Sequence, residues 1–130
     1  MSPRLVALMS VAIGSLALSL PSVAHHGSNV VYDLTQTITV SGTVTKFQFV
    51  NPHALIFLEV TDENGEKVEW LAGLPSASGL QGNEGWTRDT IKPGDELTIT
   101  GSPARGGAPS LWTEQIERDG QPLLKKAYTG

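Results

Sequence analysis

The chain has no cysteine among its 130 residues. That excludes a disulfide framework, a thiol nucleophile, thiolate zinc sites and iron–sulfur clusters. Small domains in oxidising compartments often depend on disulfides, so this one must rely on its core, a metal or an oligomer. Basic charge is also short. Nine Lys and Arg stand against 13 Asp and Glu, giving a net charge of −4. Such a chain has no broad basic face with which to neutralise phosphates, and nucleic acid is excluded as a partner. Aromatic residues are few: three Trp, three Phe and two Tyr.

Long apolar runs are absent except at the very start. Arg4 precedes the stretch LVALMSVAIGSLALSL, Leu5 to Leu20, which Pro21 interrupts. Ser22-Val23-Ala24 then puts small residues at the two positions a signal peptidase reads. A positive start, an apolar stretch and a small-x-small end make a secretory signal peptide. The run falls short of the ~20 apolar residues of a spanning helix. Cleavage is expected after Ala24, and the expected destination is a bacterial periplasm. This divides the chain into a signal peptide (1–24), an N-terminal arm (25–34) and one small domain (35–130).

From Thr35 onward the pattern has a period of two. Thr37, Thr39 and Ser41 alternate with Ile38 and Val40, and the beat resumes with Val44, Phe47 and Phe49. This reads as a long half-buried strand, with a bulge or sharp bend at Gly42. Ala54–Thr61 (ALIFLEVT) is a more apolar, central strand. Asp62-Glu63-Asn64-Gly65 is a hairpin turn, with positive φ supplied by Asn-Gly, and a third strand covers Glu66–Ala72. The segment LPSASGLQGNEG shows no alternation, and Pro75 suits the first turn of a short helix there. Lys92-Pro93-Gly94-Asp95 reads as a type II turn. Strands follow over Glu96–Gly101, with Leu97 and Ile99 inward, and over Leu111–Arg118. Between them, Ser102 to Ser110 reads as a flexible loop. Asp119-Gly120 is a further turn, and Leu123-Leu124 suits a short edge strand.

Three strands, a connecting segment and two strands make the order of an OB-fold. The expected fold is therefore an all-β, five-stranded, OB-like Greek-key barrel. A small β-sandwich is the rival, although five strands are few for that class.

Three stretches carry a resemblance: HHGS near the expected new N-terminus, SGTVTKFQFVNPHALIFLEV, and GWTRDTIKPGDELTITGSPARGG. Together they resemble a family of small exported bacterial proteins catalogued as domain of unknown function 6152. The most distinctive marks are His25-His26, Asn51-Pro52-His53, Gly85-Trp86-Thr87 and Lys92-Pro93-Gly94-Asp95. The resemblance implies export and a small β domain, and no established activity. Between Leu74 and Glu84 the chain departs from the more regular, helix-like spacing expected of that family.

The only histidines are His25, His26 and His53. Cleavage after Ala24 would free the α-amine of His25. An amine and its own imidazole can chelate one ion, His53 can add a third nitrogen, and such a nitrogen set suits Cu(II). Copper is thus the candidate metal, with these three residues as candidate ligands. The plainer reading is a polar, loosely held terminus and a His53 that caps a turn. Asp33, Asp62 or Glu59 would complete an alternative zinc site, but the spacing matches no zinc pattern.

Other constellations are weaker. Ser76 and Ser78 lack a nucleophile elbow, and Glu59, Glu69 and Glu114 fit solvent-facing strand positions. Arg105-Gly106-Gly107 has no following helix of the kind a phosphate loop needs. Trp70 reads as core. Trp112 is the best candidate for an exposed stacking platform. A second reading is therefore a non-catalytic OB-type module for a small ligand, an envelope component or a partner protein. Its surface would be the face of the second and third strands with the loops around Trp86, Arg105 and Trp112. No nucleophile, acid/base pair or cofactor motif marks an enzyme.

Overall fold

A computed structural model describes residues 31–128. The expected signal peptide, His25 and His26 lie outside the described residues. Six strands and one helix follow: β1 (Ile38–Gln48), β2 (Leu55–Thr61), β3 (Lys67–Gly73), α1 (Ala77–Glu84), β4 (Glu96–Pro103), β5 (Ser110–Arg118) and β6 (Gln121–Pro122). The sheet order is β3-β2-β1-β4-β5-β6, and a parallel β3–β5 pairing closes β1 to β5 into a barrel. This is the expected OB-like topology, with the helix between β3 and β4.

β1 is long because it serves two neighbours. Its first half pairs with β4, its second half pairs with β2, and Thr43 pairs with both Glu96 and Glu59. Gly42 lies at this changeover. A Cβ there would sit 2.4 Å from the Glu59 carbonyl oxygen and 2.9 Å from a Val60 methyl. Only glycine allows so close an approach. The bulge expected at Gly42 falls instead at Thr45, between the paired residues Val44 and Lys46.

Inward residues of every barrel strand meet in one core. Val44, Ile56, Leu58, Leu97, Ile99, Leu111 and Ile116 are at most 2% exposed. Burying each such side chain is worth about 1.5–3 kcal/mol. Leu74, Leu80, Trp86, Ile91 and Leu124 complete the cluster.

The turns follow their sequence chemistry with adjustments. In the first hairpin only Gly65 takes positive φ, not the Asn-Gly pair. The Asp62 carboxylate accepts the amides of Asn64 and Glu66 there instead. Ser102 and Pro103, expected in a loop, extend β4, and Ser102 is buried. The last short strand is Gln121–Pro122, and Leu124 turns into the core.

The helix begins at Ala77, two residues later than Pro75 suggests. Ser76 is its N-cap, accepting the Gly79 amide, and Gly85 ends it in the left-handed conformation. Gly79 and Gly82 each weaken its intrinsic propensity by about 1 kcal/mol. Capping at both ends and buried Leu80 offset that loss, which explains why irregular spacing still yields a helix. No helix among the described residues is long and apolar enough to cross a membrane.

Candidate functional site

The loop between β1 and β2 carries the Asn51-Pro52-His53 tripeptide, and several bonds clamp it to the start of α1. The Asn51 side-chain oxygen accepts hydrogen bonds from the Ser78 amide and hydroxyl, at 3.1 Å and 3.2 Å. The Ala77 amide donates to the Val50 carbonyl, and Ala54 exchanges backbone bonds with Leu74 and Pro75. Asn51 is thus a structural residue that holds the helix entry.

His53 is exposed at the rim of this clamp. Its Nδ1 lies 3.2 Å from the Leu74 carbonyl oxygen. A carbonyl only accepts, so Nδ1 carries the proton in this bond. In the neutral ring, Nε2 then keeps its lone pair for another partner. Metal-binding histidines are commonly oriented in this way, with the second ring nitrogen donating to a carbonyl.

Beside His53 stands Trp112, ring edge to ring face, with centroids 5.4 Å apart and planes at 88°. Trp112 is not the exposed platform expected from the sequence. It is half-buried, because Tyr32 leans on it with a centroid distance of 6.3 Å and Gly73 lies beneath it. A Cβ on Gly73 would approach the indole to 3.2 Å and the Tyr32 hydroxyl to 3.5 Å. Trp112 Nε1 is buried and has no hydrogen-bond partner among the described residues.

Tyr32 belongs to the N-terminal arm, which runs along the loop between β4 and β5. It forms an antiparallel bridge with Ala104, and its hydroxyl is 3.1 Å from Ser110 Oγ. The Asp33 amide donates to the Pro103 carbonyl, and the Arg105 amide donates to the Val31 carbonyl. Asp33 then folds the chain toward β1. The Thr35 hydroxyl and amide, joined by Gln36 and the nearby Arg105 charge, hold its carboxyl below the usual range.

The sequence candidates therefore separate. His53 and Trp112 are neighbours, and the Arg105 loop holds the arm beside them. Trp86 does not belong to a ligand surface: it is 3% exposed, and its Nε1 donates to the Leu123 carbonyl. Glu59 pairs with Lys67 at 3.0 Å, and Glu114 accepts from Ser102, so these carboxylates do not converge on one centre. Ser76 and Ser78 serve the helix start. Among the described residues no three His, Asp or Glu side chains converge on a point that could hold a metal.

Sequence reasoning missed Tyr32 and Gly73. Tyr32 is an isolated aromatic ahead of the first alternating run, and its only signal is the Asp33-x-Thr35 turn chemistry that follows it. Two surface depressions lie away from His53. One, of about 310 Å³, is lined by Phe47, Gln48, Phe49, Val50 and Arg88. The other, of similar size, is lined by Ser41, Thr98 and the carboxylates Glu96, Glu117 and Asp119.

Among curated proteins, none matches the chain. A family match spans residues 13–111 and takes in the paired histidines, the Asn-Pro-His loop, Trp86 and Arg105. On that span the chain belongs to the Family of unknown function (DUF6152).

Proposed function

We propose that this is an exported, periplasmic protein that binds copper or another transition metal, with binding rather than catalysis as its task. His53 is the ligand held by the barrel, and His25 and His26 are the ligands at the mature N-terminus. One observation carries the reading: the Leu74 carbonyl fixes the His53 tautomer so that Nε2 is left to bind.

The path of the chain supports the partnership. Tyr32 and His53 contact the same indole, at 6.3 Å and 5.4 Å between ring centroids. His26 precedes Tyr32 by six residues, and six extended residues reach about 20 Å. The N-terminal histidines are therefore within chain reach of His53.

Calorimetry of the mature protein with Cu(II), together with native mass spectrometry, tests this. The expected result is a chain that starts at His25 and takes up one copper. His53→Ala should weaken binding at least about tenfold, the lower end of the loss seen when even an outer partner of a metal site is removed. One extra residue ahead of His25 should also weaken it. Equal affinity in all three proteins would overturn the reading.

A second reading rests on a different observation. Leu55 and Phe57 are only half-buried although they alternate with the fully buried Ile56 and Leu58 on β2, and the half-buried Leu71 of β3 pairs with Phe57. They lie between the Asn-Pro-His loop and the Arg105 loop, where OB-folds bind ligands. A binding module for a small ligand, envelope component or partner protein would use this face with Trp112 and Arg105. Its affinity would respond to changes at Trp112 or Arg105 and not to His53→Ala.

A further inference from the structure

We propose that the groove of about 310 Å³ lined by Phe47, Gln48, Phe49, Val50 and Arg88 binds a small aryl carboxylate, an aromatic ring with a carboxyl group on a short chain. This site is independent of the metal-binding reading above.

The groove is largely apolar. Phe47 and Phe49 lean on each other with centroids 5.7 Å apart and planes at 46°. Both are half-buried, so each keeps part of its ring within reach of solvent. Val50 beside them is 47% exposed. The volume is about twice that of an apolar cavity of about 150 Å³ that takes up benzene. One ring and a short chain fit it.

One cation stands in this apolar wall. Arg88 is exposed, and among the described residues its side chain has no hydrogen bond or ion pair, not even with Asp89 next to it in the chain. Arg118, by contrast, is spent on the Thr90 carbonyl and Asp95. No carboxylate lines the groove, unlike the depression beside Glu96, Glu117 and Asp119. The lining therefore favours an anion, and a planar guanidinium meets a carboxylate with two parallel hydrogen bonds.

The walls are built in advance of any ligand. Trp86, sealed in the core, contacts Phe47 at 6.2 Å between centroids, with planes at 73°. The turn that carries Arg88 starts from this tryptophan. The Thr90 hydroxyl accepts the Thr87 amide, and Arg118 holds the Thr90 carbonyl at 2.9 Å. On the Val50 side, the Val50 carbonyl accepts the Ala77 amide. Walls fixed in this way lower the ordering cost of binding.

Calorimetry and amide NMR with phenylpropionate test the proposal. The expected result is one saturable site of millimolar affinity or tighter, with shifts at the Phe49, Val50 and Arg88 amides. Arg88→Gln should weaken binding about tenfold, the lower end of the value of a hydrogen bond to a charged group. Uncharged phenylpropionamide should bind the wild type about tenfold more weakly than the acid does, and should not respond to Arg88→Gln. Val50→Asp puts a carboxylate into the groove and should abolish binding of the acid. Both variants change exposed side chains, and an unaltered amide spectrum elsewhere verifies their fold. Equal binding of acid and amide, indifference to Arg88→Gln, or shifts confined to another part of the barrel would overturn the proposal. So would a wild-type dimer that Val50→Asp splits, because a second copy would then cover the groove.

Discussion

The His53 imidazole stands perpendicular to the Trp112 indole, with centroids 5.4 Å apart and planes at 88°. This contact joins the loop between β1 and β2 to the last barrel strand. It also places a fluorescent reporter against the candidate ligand.

Paramagnetic Cu(II) bound at His53 should quench Trp112 emission. The expected outcome is saturable quenching in the wild type at one equivalent of copper. Trp112→Phe should lose the part of that quenching that arises at the indole beside His53, leaving only the response of Trp70 and the enclosed Trp86. Steady-state fluorescence titration checks it, and quenching unchanged in Trp112→Phe would place the copper elsewhere.

Glu84 should matter for stability although it sits in a polar, unpatterned stretch. It is 9% exposed, and its two carboxylate oxygens accept the Lys125 amide and the Tyr128 hydroxyl, both at 2.7 Å. Hydrogen bonds to a charged group contribute about 1.5–3 kcal/mol. Glu84→Ala should therefore lower unfolding stability by about 2–3 kcal/mol and release the segment from Leu123 to Tyr128. Urea denaturation and hydrogen exchange at the Lys125 amide measure the two effects.

Alkaline pH should act through the same group. Burial, the bond to Glu84 and the Glu84 charge push the Tyr128 hydroxyl up to about 12 from 10.0. The folded state thus favours the protonated phenol more than the unfolded state does. The stability linked to Tyr128 is complete below pH 10 and declines as pH rises toward 12. Absorbance titration of phenolate should show one late transition near pH 12, and Tyr128→Phe should remove it.

Gly42→Ala should damage the barrel at its corner. The added methyl would meet the Glu59 carbonyl at 2.4 Å, and backbone does not yield as a flexible side chain would. The expected loss is about 3 kcal/mol, the upper part of the range for overpacking. Thermal unfolding with Gly82→Ala as the control checks it. A Cβ at Gly82 meets nothing within 4 Å, so that exchange should stabilise the helix by about 1 kcal/mol.

Much of the fold was legible before any coordinates. Alternation along β1, β4 and β5 identified strands because a half-buried strand exposes every second residue, and the Lys92–Asp95 turn declared itself through Pro and Gly. The helix from Ala77 to Glu84 was less legible, because its two glycines disguise a segment held by caps and by Leu80. Errors at the site fell where local pattern carries no information. Trp86 and Trp112 are both single tryptophans in polar surroundings, yet one is sealed in the core and the other is half-buried between Tyr32 and His53.

By itself, the sequence determined an all-β domain and most of its strands and tight turns, since hydrophobic period and turn geometry act over a few neighbouring residues. Which side chains share a site was decided only by tertiary structure. Tyr32 and Ser110 are 78 positions apart and meet through hydroxyls at 3.1 Å, because parallel pairing of β3 with β5 closes the barrel and sets Gly73 opposite Trp112. Closure of this kind depends on strands distant in the chain, and no local pattern encodes which of them will meet.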